Sequence, residues 1–236
     1  MTLDVFYLTY NGDYSQDNMN RIMELSKQGQ RVINIDGIQG IYNAHRECAL
    51  QTITDHFFVI DGDAFLRKDF DLGFVPSDKK MIYPKTPESK CTLVWRAYNP
   101  VARITYGYGG VKLFHTTLFD DNDMTGLVDM STTIARKGMP YYPVKEVSND
   151  TIFNTSPFAA WRGAFRECAK ISSKQVEHDD QDERITAWLN PDPDIKYSSY
   201  ARIGARMGNQ YGKNNRDMTK VNDWEWLNIV FKDLAL

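Results

Sequence analysis

Residues 56 to 66 of this chain read HFFVIDGDAFL, in which a mostly apolar run leads directly into two aspartates separated by one glycine. The run HFFVID is typical of an interior strand of a parallel sheet, because such strands are covered on both faces. The side chains of Asp61 and Asp63 would point to opposite faces if the strand continued. A turn at Gly62 can instead bring both carboxylates toward one ligand.

Two carboxylates in this position favour a divalent-cation site. Mg²⁺ and Mn²⁺ prefer oxygen ligands, and in proteins they commonly share one or two carboxylates with a diphosphate. We therefore expect Asp61 and Asp63 to hold one of these cations. The alternative is an ordinary exit from a strand into a turn, because Asp and Gly are both common turn residues.

Two β-α units precede this stretch. Apolar segments predict strands over 4–11 and 31–36, and helical spacing predicts helices over 15–29 and 40–55. The order β-α-β-α-β predicts an α/β fold with a mostly parallel sheet and flanking helices. Such sheets bind ligands beyond the carboxyl ends of their strands, where this sequence places Thr9, Tyr10, Asn11, Asp36, Asp61 and Asp63.

The remaining chain predicts strands over 91–98 and 140–147, and helices over 126–138 and 157–171. We find no convincing linker, and we expect one catalytic domain over residues 1–175 with a C-terminal extension over 176–236. Glycines, asparagines and basic residues over 208–218 predict a loop that could act as a lid; a plain exposed loop is the alternative.

Composition restricts the classes of protein. The chain has 236 residues, 42% of them hydrophobic, and a net charge of -3. No apolar stretch of the length of a membrane span is present, and Asp4 stands where a secretory signal would carry basic residues, so we expect a soluble, cytoplasmic protein that does not bind membranes.

The three cysteines are far apart and indicate neither a disulfide framework nor a zinc site. A basic segment over 195–220 could meet an anionic ligand or form a solvated surface.

The order of these segments resembles the nucleotide-sugar half of a GT-A type glycosyltransferase. The matching features are a first strand ending in Thr-Tyr-Asn, a second ending in Asp36, a helix containing NAHRECAL, and the stretch FFVIDGD. The resemblance implies a Rossmann-like nucleotide-sugar half over 1–105 and an acceptor half over 106–175. It also implies a nucleotide diphosphate sugar, with a UDP-sugar favoured, as the donor.

The same resemblance implies roles for single residues in donor binding. Asp36 would hydrogen-bond the nucleobase, and the nucleoside pocket would be lined by Thr9, Tyr10 and Asn11. Asp63 would ligate the metal, and Asp61 would contact the ribose or a metal-bound water. Either His45 or Arg46 would face the diphosphate, because the helix can be matched to the family in two registers that differ by one residue.

The segment YGYGGVKLF (106–114) is similar to the glycine-containing acceptor segment of these enzymes. Gly109 and Gly110 allow close approach of a sugar ring to the backbone, and Tyr106 and Tyr108 offer stacking faces. A tight turn between two strands is the alternative.

The segment LVDMSTTIARKGMPYYPV resembles the family-two pattern in which an acidic residue opens a helix. Asp129 falls at the acidic position, and the resemblance implies that it is the catalytic base of an inverting transfer. This sequence has Val128 and Asp129 instead of the usual Glu-Asp pair. A helix N-cap is the alternative role for Asp129.

The pair Trp161-Arg162 resembles the family's Arg-Trp-type motif, which implies a catalytic Arg162 near the donor phosphate and a Trp161 near the acceptor. Helical spacing of the surrounding aromatic residues indicates core packing as the alternative. His178, or else His115, could supply a further metal ligand, although an ordinary surface or packing histidine is the alternative for each.

The stretches LVWRAYNPVARITYGYGGVKLF and NTSPFAAWRGAFRE resemble small glycosyltransferases encoded by tailed bacteriophages. This resemblance implies transfer of a hexose or pentose to hydroxymethylated pyrimidine in phage DNA, and hence DNA as a partner. The alternative acceptors are a glycan, a lipid-linked intermediate or a protein. A catalytically silent nucleotide- or DNA-binding module is the alternative of another class.

Overall fold

A computed structural model describes residues 2–10, 15–83, 85–107, 109–120, 129–174, 180–215 and 218–234. The chain divides into two compact units. Unit 1 comprises Met1–Tyr98 and Gly107–Thr151, and unit 2 comprises Asn99–Tyr106 and Ile152–Leu236.

The described strands are, in chain order, β1 (Asp4–Thr9), β2 (Val32–Asp36), β3 (His56–Asp61), β4 (Ala64–Leu66), β5 (Met81–Tyr83), β6 (Thr86–Pro87), β7 (Thr92–Asn99), β8 (Ile104–Tyr106), β9 (Val111–His115) and β10 (Tyr141–Thr151). The described α-helices are α1 (Gln16–Leu25), α2 (Ile41–Gln51), α3 (Met130–Arg136), α4 (Pro157–Ser172), α5 (Gln181–Leu189), α6 (Ser198–Asn214) and α7 (Trp224–Lys232).

The main sheet of unit 1 has the strand order β2-β1-β3-β9-β7-β10-β4. The strands β2, β1 and β3 are parallel neighbours, β10 is parallel to β7, and β9 and β4 run against the others. The β-α-β-α-β order therefore forms the parallel part of the sheet. This confirms the prediction of an α/β fold with a mostly parallel sheet and flanking helices.

Helices cover both faces of this sheet, which explains the continuous apolar run in β3. Phe57 and Val59 point to the face covered by α2 and α3, whereas Phe58 and Ile60 point to the face covered by α1. All four side chains are fully buried. The prediction of an interior strand over HFFVID is confirmed, and Asp61 continues the side-chain alternation on the α2 face.

Unit 2 is built around the pair α4 and α6, whose backbones pack unusually closely. A Cβ atom at Gly204 would collide with the carbonyl oxygen of Trp161, and one at Gly208 would collide with that of Phe165. Gly212 makes the same kind of approach to Ala169. Glycine at every fourth position of α6 therefore forms a groove into which α4 fits.

This packing corrects the loop predicted over 208–218, which is helical from 208 to Asn214. Glycine and asparagine are typical of loops, but Gly208 and Gly212 are here required by the neighbouring helix. The same contact assigns α4 to unit 2. The compact units therefore separate after Thr151, whereas the sequence placed a boundary near residue 175.

The cysteines at 48, 91 and 168 are buried and free. None of the helices in the described part of the chain is long and apolar enough to cross a membrane.

Candidate active site

The first part of the candidate site lies where β1 and β2 end side by side. Thr9 pairs with Asp36 in the parallel register, and the Thr9 hydroxyl donates to Asp36 Oδ1 over 2.7 Å. Asn34 Nδ2 donates to Thr9 Oγ1 over 3.1 Å and to the Tyr7 carbonyl over 2.8 Å. Thr9 is buried and Asp36 is exposed. The buried hydroxyl of Thr9 thus fixes the orientation of the Asp36 carboxylate.

The second part is the turn over Asp61–Asp63 that leaves β3. The carbonyl of Gly62 accepts hydrogen bonds from the Tyr7 hydroxyl over 3.0 Å and from Asn18 Nδ2 over 2.9 Å. Asn18 lies on α1 and is buried. The turn is therefore held from the α1 side, while Asp61 and Asp63 are both half-buried. Sequence reasoning missed Tyr7 and Asn18, which carry no local signal of this contact.

A buried lysine on β9 holds Asp61. Lys112 Nζ lies 2.7 Å from Asp61 Oδ1 and 2.8 Å from Oδ2, and its side chain is only 6% exposed. The amide of Asp61 donates to the Gly110 carbonyl over 2.9 Å, which brings β9 beside the turn. Sequence reasoning missed Lys112 too. The signal that could have found it is a lysine inside the apolar strand VKLFH, because lysine is rarely buried unless it is paired.

His45 and Arg46 are neighbours on α2 but differ in burial. His45 is 1% exposed, its Nδ1–H donates to the Ile41 carbonyl over 2.7 Å, and its ring packs edge-on to Phe114. Burial, reinforced by the positive charge of Lys112 and opposed by the Ile41 hydrogen bond, lowers the pKa of His45 from 6.5 to about 3. His45 is therefore a neutral packing residue in this structure, and the exposed Arg46 is the one that solvent reaches.

The residues of the turn fit a divalent cation of the kind that shares its ligands with a substrate. Among the residues that the structure describes, no group of three or more His, Cys, Asp or Glu is placed to hold a metal. Mg²⁺ in particular is commonly bound by one or two carboxylates with substrate phosphates completing its shell. Asp63 can supply one such carboxylate, whereas both oxygens of Asp61 contact Lys112. The chemistry therefore fits a cation that is bound together with a diphosphate.

Neither histidine suggested as an additional ligand is brought to this turn by the described structure. His115 pairs with His56 at the opposite end of β3 from Asp61. It accepts a hydrogen bond from the Thr117 amide over 3.1 Å, and burial lowers its pKa. His178 lies outside the described residues, so its role stays a prediction.

Asp129 is the N-cap of α3. Its Oδ1 accepts hydrogen bonds from the Thr132 amide over 2.7 Å and from the Ser131 hydroxyl over 3.2 Å. This geometry matches the N-cap alternative. A catalytic role for the same half-buried carboxylate stays a prediction.

The predicted acceptor residues are distributed over both units. In unit 1, Gly110 lies beside Asp61, and a Cβ there would stand 2.7 Å from the Asn149 side chain; Gly109 has open space around it. In unit 2, Tyr106 is buried with the Arg184 guanidinium 5.1 Å from its ring centre. Its acceptor role stays a prediction. Tyr108 and the donor residue Asn11 lie outside the described residues, whereas Tyr10 is half-buried after β1.

Trp161 and Arg162 lie on α4 in unit 2. Trp161 is fully buried and stacks on Phe165 with ring centres 5.0 Å apart. The Arg162 guanidinium lies 3.7 Å from the ring centre of Trp224, the distance of a cation–π contact. Both residues thus have packing roles. The core-packing alternative describes Trp161 in this structure, and the phosphate role of Arg162 stays a prediction.

No protein-family model matches the chain, and no curated protein matches it significantly. Among solved structures, the chain is similar to a glycosyltransferase involved in glycosylation of the major capsid of PBCV-1 (TM-score 0.37, 11% identity, 64% of this chain and 94% of that one). It is also similar to TarS 1-349 of S. aureus (TM-score 0.41, 10% identity, 91% and 74%) and to the bifunctional IspDF from Campylobacter jejuni (0.34, 11%, 61% and 50%). At these scores and identities the likeness carries no argument about family or activity.

Proposed function

We propose that this protein is a metal-dependent glycosyltransferase that uses a nucleotide diphosphate sugar, with a UDP-sugar as the favoured donor. One observation carries the proposal: Asp36 and the turn over Asp61–Asp63 follow strands that flank β1 in the parallel part of the sheet. Their polar groups therefore lie along the edge at which α/β sheets bind ligands. The buried hydroxyl of Thr9 adds a fixed orientation to this edge.

Each part of such a donor has a chemically suited partner at this edge. The exposed carboxylate of Asp36 can accept hydrogen bonds from nucleobase N–H groups. Asp63 can ligate Mn²⁺ or Mg²⁺ at the turn. The cation, when bound, neutralises charge on the departing diphosphate. Gly110, just before β9, lies beside this turn and accepts a hydrogen bond from the Asp61 amide.

In the transfer, an oxygen of an acceptor hydroxyl bonds to the anomeric carbon while the bond from that carbon to the diphosphate oxygen breaks. The hydroxyl proton goes to a base, and we propose Asp129 for that role in an inverting transfer. Hydrogen bonds from the Thr132 amide and the Ser131 hydroxyl hold this carboxylate in a fixed orientation.

Incubation with a panel of nucleotide sugars, with and without EDTA, tests the donor reaction. We expect metal-dependent release of a nucleoside diphosphate from one donor class. Asp63→Ala should abolish this release while the protein stays folded. Asp69→Ala is the matched control, because Asp69 is an exposed aspartate of unit 1 and should retain full turnover. No turnover with any donor would support the silent binding module and contradict the proposal.

As the acceptor we propose hydroxymethylated pyrimidine in DNA. The supporting observation is a row of exposed cations on α6, in which Arg202 and Arg206 lie four residues apart and Lys213 follows two turns later. Cations in a row can neutralise successive phosphates, which supplies much of the affinity for DNA. The overall charge of -3 makes a local patch necessary for such a contact.

Two measurements test the DNA acceptor. Mass spectrometry of nucleosides after incubation with hydroxymethylcytosine DNA should find a glycosylated nucleoside that unmodified DNA does not give. The double variant Arg202→Gln, Arg206→Gln should lower the slope of log affinity against log salt by about 0.9 for each lost phosphate contact. Lys68→Gln with Lys145→Gln removes the same charge from exposed positions of unit 1 and should leave the slope unchanged. Transfer to a glycan, lipid-linked or protein acceptor instead would contradict the DNA assignment.

A further inference from the structure

We propose that Lys112 is a positioning residue that keeps Asp61 out of the metal shell, so that a divalent cation at the turn depends on Asp63 and the donor's phosphates. The phosphate part of this inference rests on the proposed function. The consequence is that the cation binds weakly to the protein alone and becomes tightly bound only together with the nucleotide.

The geometry of the pair is the first argument. Lys112 Nζ contacts both oxygens of Asp61, at 2.7 and 2.8 Å. Lys112 pairs across the sheet with Val59, and Asp61 follows on the same face two residues later. The contact is thus fixed by strand register and does not depend on a mobile surface side chain.

Burial is the second argument. The Lys112 side chain is 6% exposed, whereas that of Asp61 is 36% exposed. Breaking a buried ion pair leaves an uncompensated charge, which is strongly unfavourable. Asp61 cannot turn toward a cation without leaving this ammonium in an apolar setting. Asp61 could still be solvated if the lysine were absent, so the two partners are not equivalent.

Charge is the third argument. The set Asp61, Asp63 and Lys112 carries one net negative formal charge, whereas two carboxylates alone would carry two. His45, buried near this face and neutral, adds no second cation. The ammonium of Lys112 therefore repels an approaching divalent cation. It also contacts both oxygens of Asp61, one of the two carboxylates of the turn.

Titration of Mn²⁺ by electron paramagnetic resonance, without nucleotide, measures the effect directly. We expect Lys112→Met to bind Mn²⁺ about tenfold more tightly than the wild type or better, because Asp61 is released and a nearby positive charge is removed. The double variant Lys112→Met, Asp61→Asn should return to within about twofold of the wild type, since the cation would again depend on Asp63 as in the wild type. A role of Lys112 in packing alone would not produce this pattern.

Circular dichroism and thermal unfolding establish that each variant is folded. If Lys112→Met does not fold, Lys112→Gln replaces it, because the amide can still donate to Asp61 without the charge, and the same direction of change is expected. A folded Lys112 variant that binds Mn²⁺ no more tightly than the wild type, including no detectable binding in either, overturns the inference. Tighter Mn²⁺ binding in a protein that turns over no nucleotide sugar would instead keep the ion-pair inference and remove the proposed function.

Discussion

The hydroxyl of Thr9 donates a 2.7 Å hydrogen bond to Asp36 Oδ1 across the ends of two parallel strands. Thr9 is only 2% exposed, whereas Asp36 faces solvent. A buried donor that orients an exposed carboxylate is the arrangement expected of a recognition group. The pair is therefore the most direct place to test whether this edge binds a nucleotide.

Thr9→Val removes the hydroxyl while keeping the shape of the side chain. We expect a five- to tenfold loss of affinity for UDP with Mn²⁺, corresponding to about 1 kcal/mol for one oriented hydrogen bond. Isothermal titration calorimetry measures this. Thr86→Val, at a half-buried threonine of β6, is the matched control and should bind normally. Unchanged affinity in Thr9→Val would show that Asp36 needs no orientation by Thr9.

Asp129→Asn separates a catalytic base from an N-cap, because Asn caps helices as well as Asp does. We expect unfolding free energy within about 0.5 kcal/mol of the wild type and a transfer rate lower by about a hundredfold or more. Denaturant unfolding and a transfer assay measure the two quantities.

Ser156→Ala is the matched control for the cap effect. Ser156 caps α4 through the Ala159 amide over 3.0 Å, so its loss should cost about 1 kcal/mol of stability and leave the chemistry of transfer intact. Full transfer activity in Asp129→Asn would assign Asp129 to capping alone.

Gly208→Ala tests the close packing of α4 and α6. Replacing a helical glycine by alanine raises the unfolding free energy by about 1 kcal/mol when the new Cβ contacts no other atom. Here the new Cβ collides with the Phe165 carbonyl, so we expect a loss of about 3 kcal/mol. Gly109→Ala is the control, because no atom lies within 4 Å of the position of its Cβ, and stability should change by less than about 0.5 kcal/mol. Stabilisation by Gly208→Ala would contradict the described helix contact.

His45 should make the protein less stable in mild acid. Its pKa is 6.5 in an ordinary setting and about 3 in the folded chain, so below pH 6.5 the unfolded chain binds a proton that the folded chain does not. The unfolding free energy should therefore fall as the pH drops from about 6.5 toward 3, by up to about 1.4 kcal/mol per pH unit.

Urea unfolding of the wild type and of His45→Phe at pH 7.5, 6 and 5 measures this contribution. The difference in unfolding free energy between the wild type and His45→Phe reports on His45 alone. His115, whose pKa is also lowered by burial, is present in both proteins. We expect the variant to lose less stability than the wild type between pH 6 and 5. Parallel pH dependences would show that His45 takes up its proton in the folded state.

The sequence by itself determined the β-α-β-α-β segment and the strand ends in it that carry polar residues, but it did not indicate α5, α6 or α7. Apolar runs give strands, and helical spacing between them gives helices, because both patterns reflect burial along one stretch of chain. The strand over 56–61 and the helix from Pro157 appear where these patterns indicate, and the strand predicted over 140–147 is present but extends to Thr151. The meeting of Thr9 with Asp36 also follows, since parallel strands in register place their carboxyl ends together.

Only the tertiary structure decided that Lys112 is the residue that holds Asp61. Lys112 and Asp61 are 51 residues apart, and their contact depends on β9 inserting beside β3, an order that local patterns do not encode. The glycines of α6 have the composition of a loop until α4 lies against them. In both cases the deciding force is a contact between distant segments, where burial of a charge or contact between two backbones overrides local preference.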